Sequence, residues 1–221
     1  VSAGPARRLL LLVPSSATPG DELELRAVAL DLAGNAGPEI DDTCTLQAQP
    51  GIEMPASFTL QTDSGSLATI PFTSADEGIV RLQAQCSSGL EAESNPLMVS
   101  SEELPILWGD LHGQSAETVG TNSVEDYFRF ARDTALLDFA GHQGYDFQIT
   151  PEFWRRIGRC AREFYEPGRF VVFPGYEWSA TTPAGGDRNV YYLHDGEEIF
   201  RTSHWQVEAK EEETANDRYP A

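Results

Sequence analysis

The sequence has few basic residues, with 15 Lys and Arg against 35 Asp and Glu, which leaves a formal net charge of −20. Such a surface repels a phosphate backbone, so nucleic-acid binding through bulk charge is excluded. No apolar run approaches the roughly 20 residues that a membrane-spanning helix needs, and no membrane partner is expected. We also expect no signal peptide, because the apolar run 9–13 is too short for one. We therefore expect a soluble protein and slightly favour the cytoplasm.

Aromatic residues are scarce in the first half of the chain. Residues 1–104 contain only Phe58 and Phe72, whereas the remainder holds all four Trp, all seven Tyr and all four His. This change in composition predicts two domains, residues 1–104 and residues 105–221. The first core must then be built mainly from small aliphatic side chains.

Short apolar runs separated by Gly, Pro, Asn and Asp predict about seven strands in the first domain. They are Leu9–Val13, Leu23–Leu30, Cys44–Gln49, Ser57–Thr62, Leu67–Phe72, Ile79–Cys86 and Leu97–Ser100. This number of short strands in about 100 residues favours an all-β immunoglobulin-like sandwich. The region concentrates no His or paired acids, so we assign it a structural or partner-binding role without chemistry.

The sequence contains three cysteines. Cys44 and Cys86 both fall on predicted strands of the sandwich, where a disulfide and a buried free pair are equally compatible with the pattern. Cys160 lies on the apolar side of a predicted helix, which indicates packing as a small hydrophobic residue.

The second domain alternates predicted strands with predicted helices. Ser123 and Asp126 form a capping box before one helix, and Thr150 with Pro151 begins the next. The predicted strands are Ile106–Trp108, Leu136–Ala140, Phe170–Phe173 and Asn189–Leu193. This alternation is typical of a parallel α/β sheet or barrel.

Histidines and isolated acids follow these strands, at the carboxyl ends where sites of parallel α/β folds lie. The residues in these positions are Asp110, His112, Gln114, His142, Asp146, Glu177, His194 and, ten residues further, His204. Imidazole and carboxylate groups together suit Zn, Mn or Fe, and the cluster predicts a metal site. Nearby, Arg188 can bind a substrate phosphate or carboxylate in a bidentate manner, or it can pair with Asp187 and only order the loop.

Four separated motifs resemble a bacterial family of unknown function that is related to the polymerase-and-histidinol-phosphatase (PHP) metal-dependent phosphoesterases. The motifs are Trp108-Gly-Asp-Leu-His-Gly-Gln-Ser115, Leu137-Asp-Phe-Ala-Gly-His-Gln-Gly-Tyr-Asp-Phe147, Phe173-Pro-Gly-Tyr-Glu-Trp-Ser179 and Gly185-Gly-Asp-Arg-Asn-Val190. The resemblance runs from about Pro105 to His204. It implies a distorted (βα)7 barrel, two or three divalent ions in the full-length protein, and hydrolysis of a phosphoester.

The resemblance also implies roles for individual residues. Asp110, His112, His142 and Glu177 are the expected metal ligands, and Glu177, Arg188 and Asp146 the expected catalytic residues. Gln114, His194 and His204 are expected to face a small anionic substrate. Gln114 stands where the PHP motif has its second His, and either His142 or Asp146 is the ligand of the second motif.

Two other functions remain open at this point. A binding or adhesion protein with a degenerate barrel is favoured by Gln114, which is a poorer metal ligand than His. Metal-assisted hydrolysis of an ester, amide or sulfate ester would use the same ligands as a phosphoesterase. Because four predicted strands cannot close a barrel, we expect an incomplete α/β barrel and a chain that is the amino-terminal part of a longer protein.

The composition predicts that the two domains fold separately, because the first core needs none of the aromatic rings of the second. Limited proteolysis between residues 100 and 105 is expected to yield two fragments that each unfold cooperatively when heated. Circular dichroism of the separated fragments measures this. Two fragments without a cooperative transition would contradict the prediction.

Overall fold

A computed structural model describes residues 3–47, 49–102, 105–180, 186–203 and 206–207 of the chain. The chain divides into two compact units, Val1–Ile106 and Leu107–Ala221, a division two residues after the predicted boundary. No helix in the described ranges is long and apolar enough to cross a membrane.

The first unit is a β-sandwich. Its strands are β1 (Arg8–Leu12), β2 (Ser16–Ala17), β3 (Glu22–Leu30), β4 (Asp42–Leu46), β5 (Ile52–Glu53), β6 (Ser57–Leu60), β7 (Leu67–Ser74), β8 (Gly78–Val80), β9 (Gln83–Cys86), β10 (Glu91–Glu93) and β11 (Leu97–Val99). Two antiparallel sheets have the orders β1-β3-β7-β5 and β10-β9-β4-β6, and a smaller sheet has the order β2-β11-β8. Every second side chain of β4 and β6 is buried, so one face of each strand packs into the core. This core, shared between the sheets, includes Leu25, Leu60 and Leu97.

One predicted strand of the sandwich, Ile79–Cys86, is wrong as a single element. It forms two strands because the chain changes sheets after Val80: β8 pairs with β11, whereas β9 pairs with β4. The sequence analysis also missed β2, β5 and β10, which are two or three residues long. Alternation cannot be recognised over so short a segment.

The second unit contains a parallel sheet covered by helices. Its elements are β12 (Gly109–Gly113), α1 (Val124–Arg129), β13 (Phe139–His142), α2 (Pro151–Phe164), β14 (Val171–Phe173), β15 (Gly175–Trp178) and β16 (Arg188–Tyr191), with a π-helical turn, Phe130–Thr134, after α1. Strands β12, β13 and β14 pair in parallel in that order. Strands β15 and β16 form an antiparallel pair.

Several predicted strands of this unit are displaced or differently paired. The strand predicted at Ile106–Trp108 begins instead at Gly109, and Trp108 is 61% exposed. The strand predicted at Leu136–Ala140 begins at Phe139, because Leu136 has a φ of 53° and the chain is still turning there. The strand predicted at Asn189–Leu193 is β16, which is antiparallel to β15 rather than a further parallel strand. The described residues show a three-stranded parallel sheet without a barrel.

Both helix starts were predicted correctly, because their caps are encoded locally. The Ser123 hydroxyl accepts a hydrogen bond from the Asp126 N–H, and the Thr150 hydroxyl accepts one from the Phe153 N–H. Helix α2 buries one stripe that includes Ile157 and Cys160 against the sheet. Burial raises the pKa of the Cys160 thiol to about 12, and Cys160 therefore packs as a protonated, unreactive side chain.

Cys44 and Cys86 form a disulfide between β4 and β9, where the two residues face each other directly. In antibody domains the characteristic disulfide joins the two sheets, whereas here it joins neighbouring strands of one sheet. The sequence analysis left a disulfide and a free pair open, and the structure shows the disulfide.

We predict that replacing both Cys44 and Cys86 by Ala lowers the free energy of unfolding of the sandwich by about 2–4 kcal/mol. The disulfide spans 42 residues, and its loss restores conformational entropy to the unfolded chain. Urea titration measures the loss. A reducing agent is expected to destabilise the wild type but not the double variant. Three reactive thiols in unreduced, denatured wild-type protein would contradict the disulfide.

Candidate functional site

The contact between His112 and Glu177 defines the candidate site. The His112 Nε2 atom lies 3.2 Å from the Glu177 Oε2 atom. Glu177 is 6% exposed, whereas the His112 side chain is 53% exposed. The pair therefore opens to solvent at the imidazole, and the carboxylate forms its buried end.

Two backbone hydrogen bonds on one side of β15 fix the position of Glu177. Its N–H donates to the Gly144 carbonyl and its own carbonyl accepts from the Asp146 N–H, both at 2.9 Å. On the other side of β15, Asn189 of β16 lies directly opposite Glu177. Glu177 thus lies within a strand, and its predicted place in a loop after a strand is wrong. The strand was missed because it directly follows Pro174, which the sequence analysis took as the start of a loop.

Asp187 is a further carboxylate at the site that the sequence analysis did not assign to metal binding. Burial raises the pKa of Glu177, and the neighbouring Asp187 carboxyl raises it further, while His112 opposes this shift. Asp187 is exposed and immediately precedes β16. Its closeness to Glu177 follows from the antiparallel pairing of β15 with β16, which no local sequence signal indicates.

Asp110 and His112 lie within β12 and not after a strand as predicted. The Asp110 carboxylate accepts a hydrogen bond of 2.8 Å from the His112 N–H. Asp110 therefore supports the backbone that carries His112. Its predicted role as a metal ligand stays a prediction.

The structure does not bring His142 to this pair in a form ready to bind metal. His142 is fully buried, its Nδ1 atom accepts from the Gly144 N–H at 3.2 Å, and its Nε2 atom lies 2.9 Å from the Ser115 hydroxyl. Because Nδ1 accepts, the ring proton is assigned to Nε2. Burial lowers the pKa of His142 to about 4, so the ring is neutral at physiological pH.

Asp146 is also fully buried and organises the chain around the site. Its carboxylate accepts hydrogen bonds from the Ser179 N–H at 2.8 Å, from the Thr202 hydroxyl at 2.9 Å and from the Thr202 N–H. Arg201 is 1% exposed and donates to the Asp146 carbonyl. Burial raises the pKa of Asp146, against these hydrogen bonds, which lower it. Asp146 therefore holds the segments around Glu177 in place through these hydrogen bonds.

Gln114 likewise has both ends of its amide engaged. Its Nε2 group donates to the Gln143 carbonyl, and its Oε1 atom accepts from the Thr118 hydroxyl at 2.6 Å. In this arrangement the side chain stabilises the loop after β12.

The remaining predicted site residues lie elsewhere. Arg188 is opposite Trp178 on the neighbouring strand, and its guanidinium carbon lies 5.3 Å from the centre of the Trp178 ring. Side chains alternate along a strand, so Arg188 projects from the face opposite to that of Asn189 and Glu177. His194 is exposed in the turn after β16, and His204 lies outside the described residues.

Two tyrosines near Asp110 were also missed. The Tyr191 hydroxyl donates to the Leu111 carbonyl at 2.5 Å, and the Tyr127 hydroxyl lies 3.4 Å from the carbonyl oxygens of Asp110 and Gly141. Burial, assisted by the Asp110 charge, raises the pKa of both tyrosines, which therefore keep their protons and act as donors.

The structure thus brings together His112, Glu177 and Asp187, while Asp146, His142 and Gln114 have structural partners. In the ranges that the structure describes, no group of three or more His, Cys, Asp or Glu side chains is arranged so that it could hold a metal ion.

A family model described as a protein of unknown function, DUF3604, matches residues 107–217. The chain belongs to this family. The expected resemblance to a bacterial family of unknown function is confirmed by this match and by similar proteins from Chlamydia.

The similar proteins are uncharacterized. One from Chlamydia pneumoniae is 28% identical over 133 residues, which is 58% of this DUF3604 chain and 21% of the relative. One from Chlamydia muridarum is 29% identical over 124 residues, which is 54% of this chain and 20% of the relative. The chain therefore spans about a fifth of the length of these relatives.

Solved structures similar to part of the chain include a glycosyl hydrolase family 2 member from Bacteroides cellulosilyticus. It has a TM-score of 0.41 and 11% identity, over 45% of this chain and 15% of that chain. The D00-D0 domain of Intimin has a TM-score of 0.34 and 13% identity, over 44% of this chain and 50% of that chain. With scores this low, the sandwich assignment rests on its own strand pairing.

Replacing Asp146 by Asn is expected to lower the free energy of unfolding of the DUF3604 unit by about 1–3 kcal/mol. The NH2 group of Asn is a donor, and it would face the N–H and hydroxyl donors that now hydrogen-bond to the Asp146 carboxylate. Thermal and urea unfolding measure the change. Asp133→Asn is the matched control, because Asp133 forms a partly exposed ion pair with Arg132 that contributes less than about 1 kcal/mol. Equal stability of the two variants would contradict the supporting role.

Proposed function

We propose that the second unit is part of a divalent-metal-dependent hydrolase that acts on phosphoesters. The observation that carries the proposal is the contact of His112 Nε2 with Glu177 Oε2 at 3.2 Å, next to the Asp187 carboxyl. The resemblance of the four motifs to the PHP phosphoesterases supports the same chemistry. On that resemblance, the three parallel strands correspond to the first strands of a distorted barrel.

The donor atoms of His112 and Glu177 are of the kind that bind a divalent ion, and further ligands would be needed to complete its coordination. Imidazole nitrogen with carboxylate oxygen is a donor set typical of Zn, Mn and Fe. Two carboxyl groups held side by side cannot both ionise easily unless a positive charge lies near them. A cation beside Glu177 and Asp187 relieves this repulsion, and the exposed edge of His112 leaves access from solvent.

The chain's own residues would divide the work as follows. His112 Nε2 would exchange the proton that lies between it and Glu177 for the ion, and Glu177 would offer a carboxylate whose position is fixed by two backbone hydrogen bonds. Asp187, exposed at the edge, can complete the donor set or take up a proton at its carboxylate. When bound, a divalent ion supplies Lewis-acid catalysis by withdrawing electron density from a phosphoryl oxygen and making water more acidic.

Asp110 and Asp146 would act indirectly. Asp110 holds the His112 N–H, and Asp146 connects its own N–H to the carbonyl of Glu177. Such supporting hydrogen bonds fix the orientation of metal ligands. The two aspartates would therefore affect metal affinity without contacting the ion.

One observation favours a second candidate, a binding protein without catalysis. The Gln114 amide, in the place of the second His of the PHP motif, is fully engaged by Gln143 and Thr118. A ligand of the PHP phosphoesterases would then be replaced by a loop-stabilising residue. Metal-assisted hydrolysis of an ester, amide or sulfate ester uses the same residues as the first candidate.

We predict that the chain, equilibrated with Zn or Mn, binds at least one ion, but loosely, because His112 and Glu177 alone are too few ligands for a tight site. Replacing His112 by Ala or Glu177 by Gln is expected to weaken metal binding by tenfold or more, because changes even in residues that only support ligands cost about 10–100-fold. Elemental analysis measures occupancy. His194→Ala is the control, because it removes an exposed imidazole of the same unit and leaves the pair intact.

Absence of metal from the wild type, or equal occupancy in His112→Ala and His194→Ala, would contradict the proposal. A panel of chromogenic phosphate, carboxylate and sulfate esters with added Mn or Zn then separates the reaction types. Absence of stoichiometric metal together with no turnover on any ester would favour the binding protein.

A further inference from the structure

His112 lies in an irregular part of β12. Asp110 is opposite Ala140, and the next pair joins Gly113 to His142, so β12 advances three residues while β13 advances two. This extra residue is a β-bulge, which interrupts the hydrogen bonds of the ladder and redirects the side chains within it. The direction of the His112 ring therefore depends on how residues 111 and 112 are held.

Tyr191, on β16, extends across Gly141 of β13 to reach this bulge. It lies on β16 opposite Gly175, and its hydroxyl donates to the Leu111 carbonyl at 2.5 Å. Between these ends its ring passes over Gly141 of β13, where an added Cβ would lie 3.3 Å from the Tyr191 Cε1 atom. The glycine at 141 leaves room for the ring to cross β13 and reach the edge strand.

The same strand that carries Tyr191 also begins directly after Asp187. Strand β16 thus connects the carboxyl beside Glu177 with the backbone next to His112. Tyr127, from α1, approaches the bulge more loosely, at 3.4 Å from the Asp110 carbonyl. Of the two hydroxyls, that of Tyr191 makes the short contact.

We propose that Tyr191 is a positioning residue, whose hydroxyl holds the bulge of β12 in the conformation that directs His112 toward Glu177. The inference rests on the proposed function, because the pair that Tyr191 orders is the proposed metal site. In this role Tyr191 would act on His112 through the Leu111 carbonyl and would not itself bind the ion.

The substitution Tyr191→Phe tests this inference because it removes only the hydroxyl. Tyr192→Phe, at the next residue of the chain, is the matched control. The Tyr192 hydroxyl donates to the Glu198 carbonyl at 2.7 Å and not to the Leu111 carbonyl. We expect Tyr191→Phe to weaken zinc binding about tenfold, which corresponds to about 1.4 kcal/mol. Tyr192→Phe is expected to leave zinc affinity unchanged. Competition with a chromogenic chelator measures both.

A metal-free readout separates this inference from the proposed function. In the wild type and in Tyr192→Phe, nuclear Overhauser contacts between the His112 ring and the Glu177 side chain are expected, and in Tyr191→Phe they should be lost. If the wild type shows these contacts but binds no zinc, and Tyr191→Phe loses them, the metal site is refuted and the positioning role is supported. Retained contacts and unchanged zinc affinity in Tyr191→Phe would overturn the positioning role.

The melting temperatures of the variants show whether a substitution has destabilised the whole unit. Comparable melting temperatures of the two Phe variants, together with a selective effect at position 191, support positioning. If Tyr191→Phe does not fold, Gly141→Ala replaces it, because its methyl group would lie 3.3 Å from the Tyr191 Cε1 atom and would shift the ring by a few tenths of an ångström while keeping the hydroxyl. Weaker zinc binding and weaker His112–Glu177 contacts in folded Gly141→Ala support the inference, and wild-type values for both overturn it.

Discussion

The buried carboxylate of Asp146 is the interaction on which the second unit most depends. It accepts hydrogen bonds from Ser179, just after β15, and from Thr202, beyond β16. Its backbone N–H simultaneously holds the carbonyl of Glu177. An ionisable group in the interior is costly unless its hydrogen bonds are satisfied, so these partners have to come together as the chain folds. Asp146 thereby ties the strand of the candidate site to Thr202, which lies 56 positions after Asp146 in the sequence.

Local signals explain which parts of the fold could be predicted from the sequence. Ser123 and Thr150 mark helix starts because each caps a backbone N–H three residues away. A long strand such as β3 is recognised from its alternation of apolar and polar residues. Pairing partners are not encoded in this way. Strand β16 was recognised as a strand, but its antiparallel alignment with β15 depends on contacts that only the folded chain reveals.

The same distinction applies to the candidate site. His112 and Glu177 were found because imidazole and carboxylate groups stand out in their motifs, whereas Asp187 and Tyr191 reach the site through the pairing of β16. Asp146 and Gln114 show the opposite case. Their residue types suit catalysis or metal binding, but in the structure their polar atoms are occupied by neighbouring groups.

The disulfide of the sandwich has a consequence for where the chain can reach its full stability. Thiol pairs stay oxidised in secreted and periplasmic environments, while glutathione and thioredoxin keep most of them reduced in the cytosol. In a reducing compartment Cys44 and Cys86 would face each other as two buried thiols on adjacent strands, without a covalent link across the sheet. The redox state of the surroundings would then determine the free energy of unfolding of the sandwich. The buried, unpaired Cys160 of the other unit would not change with it.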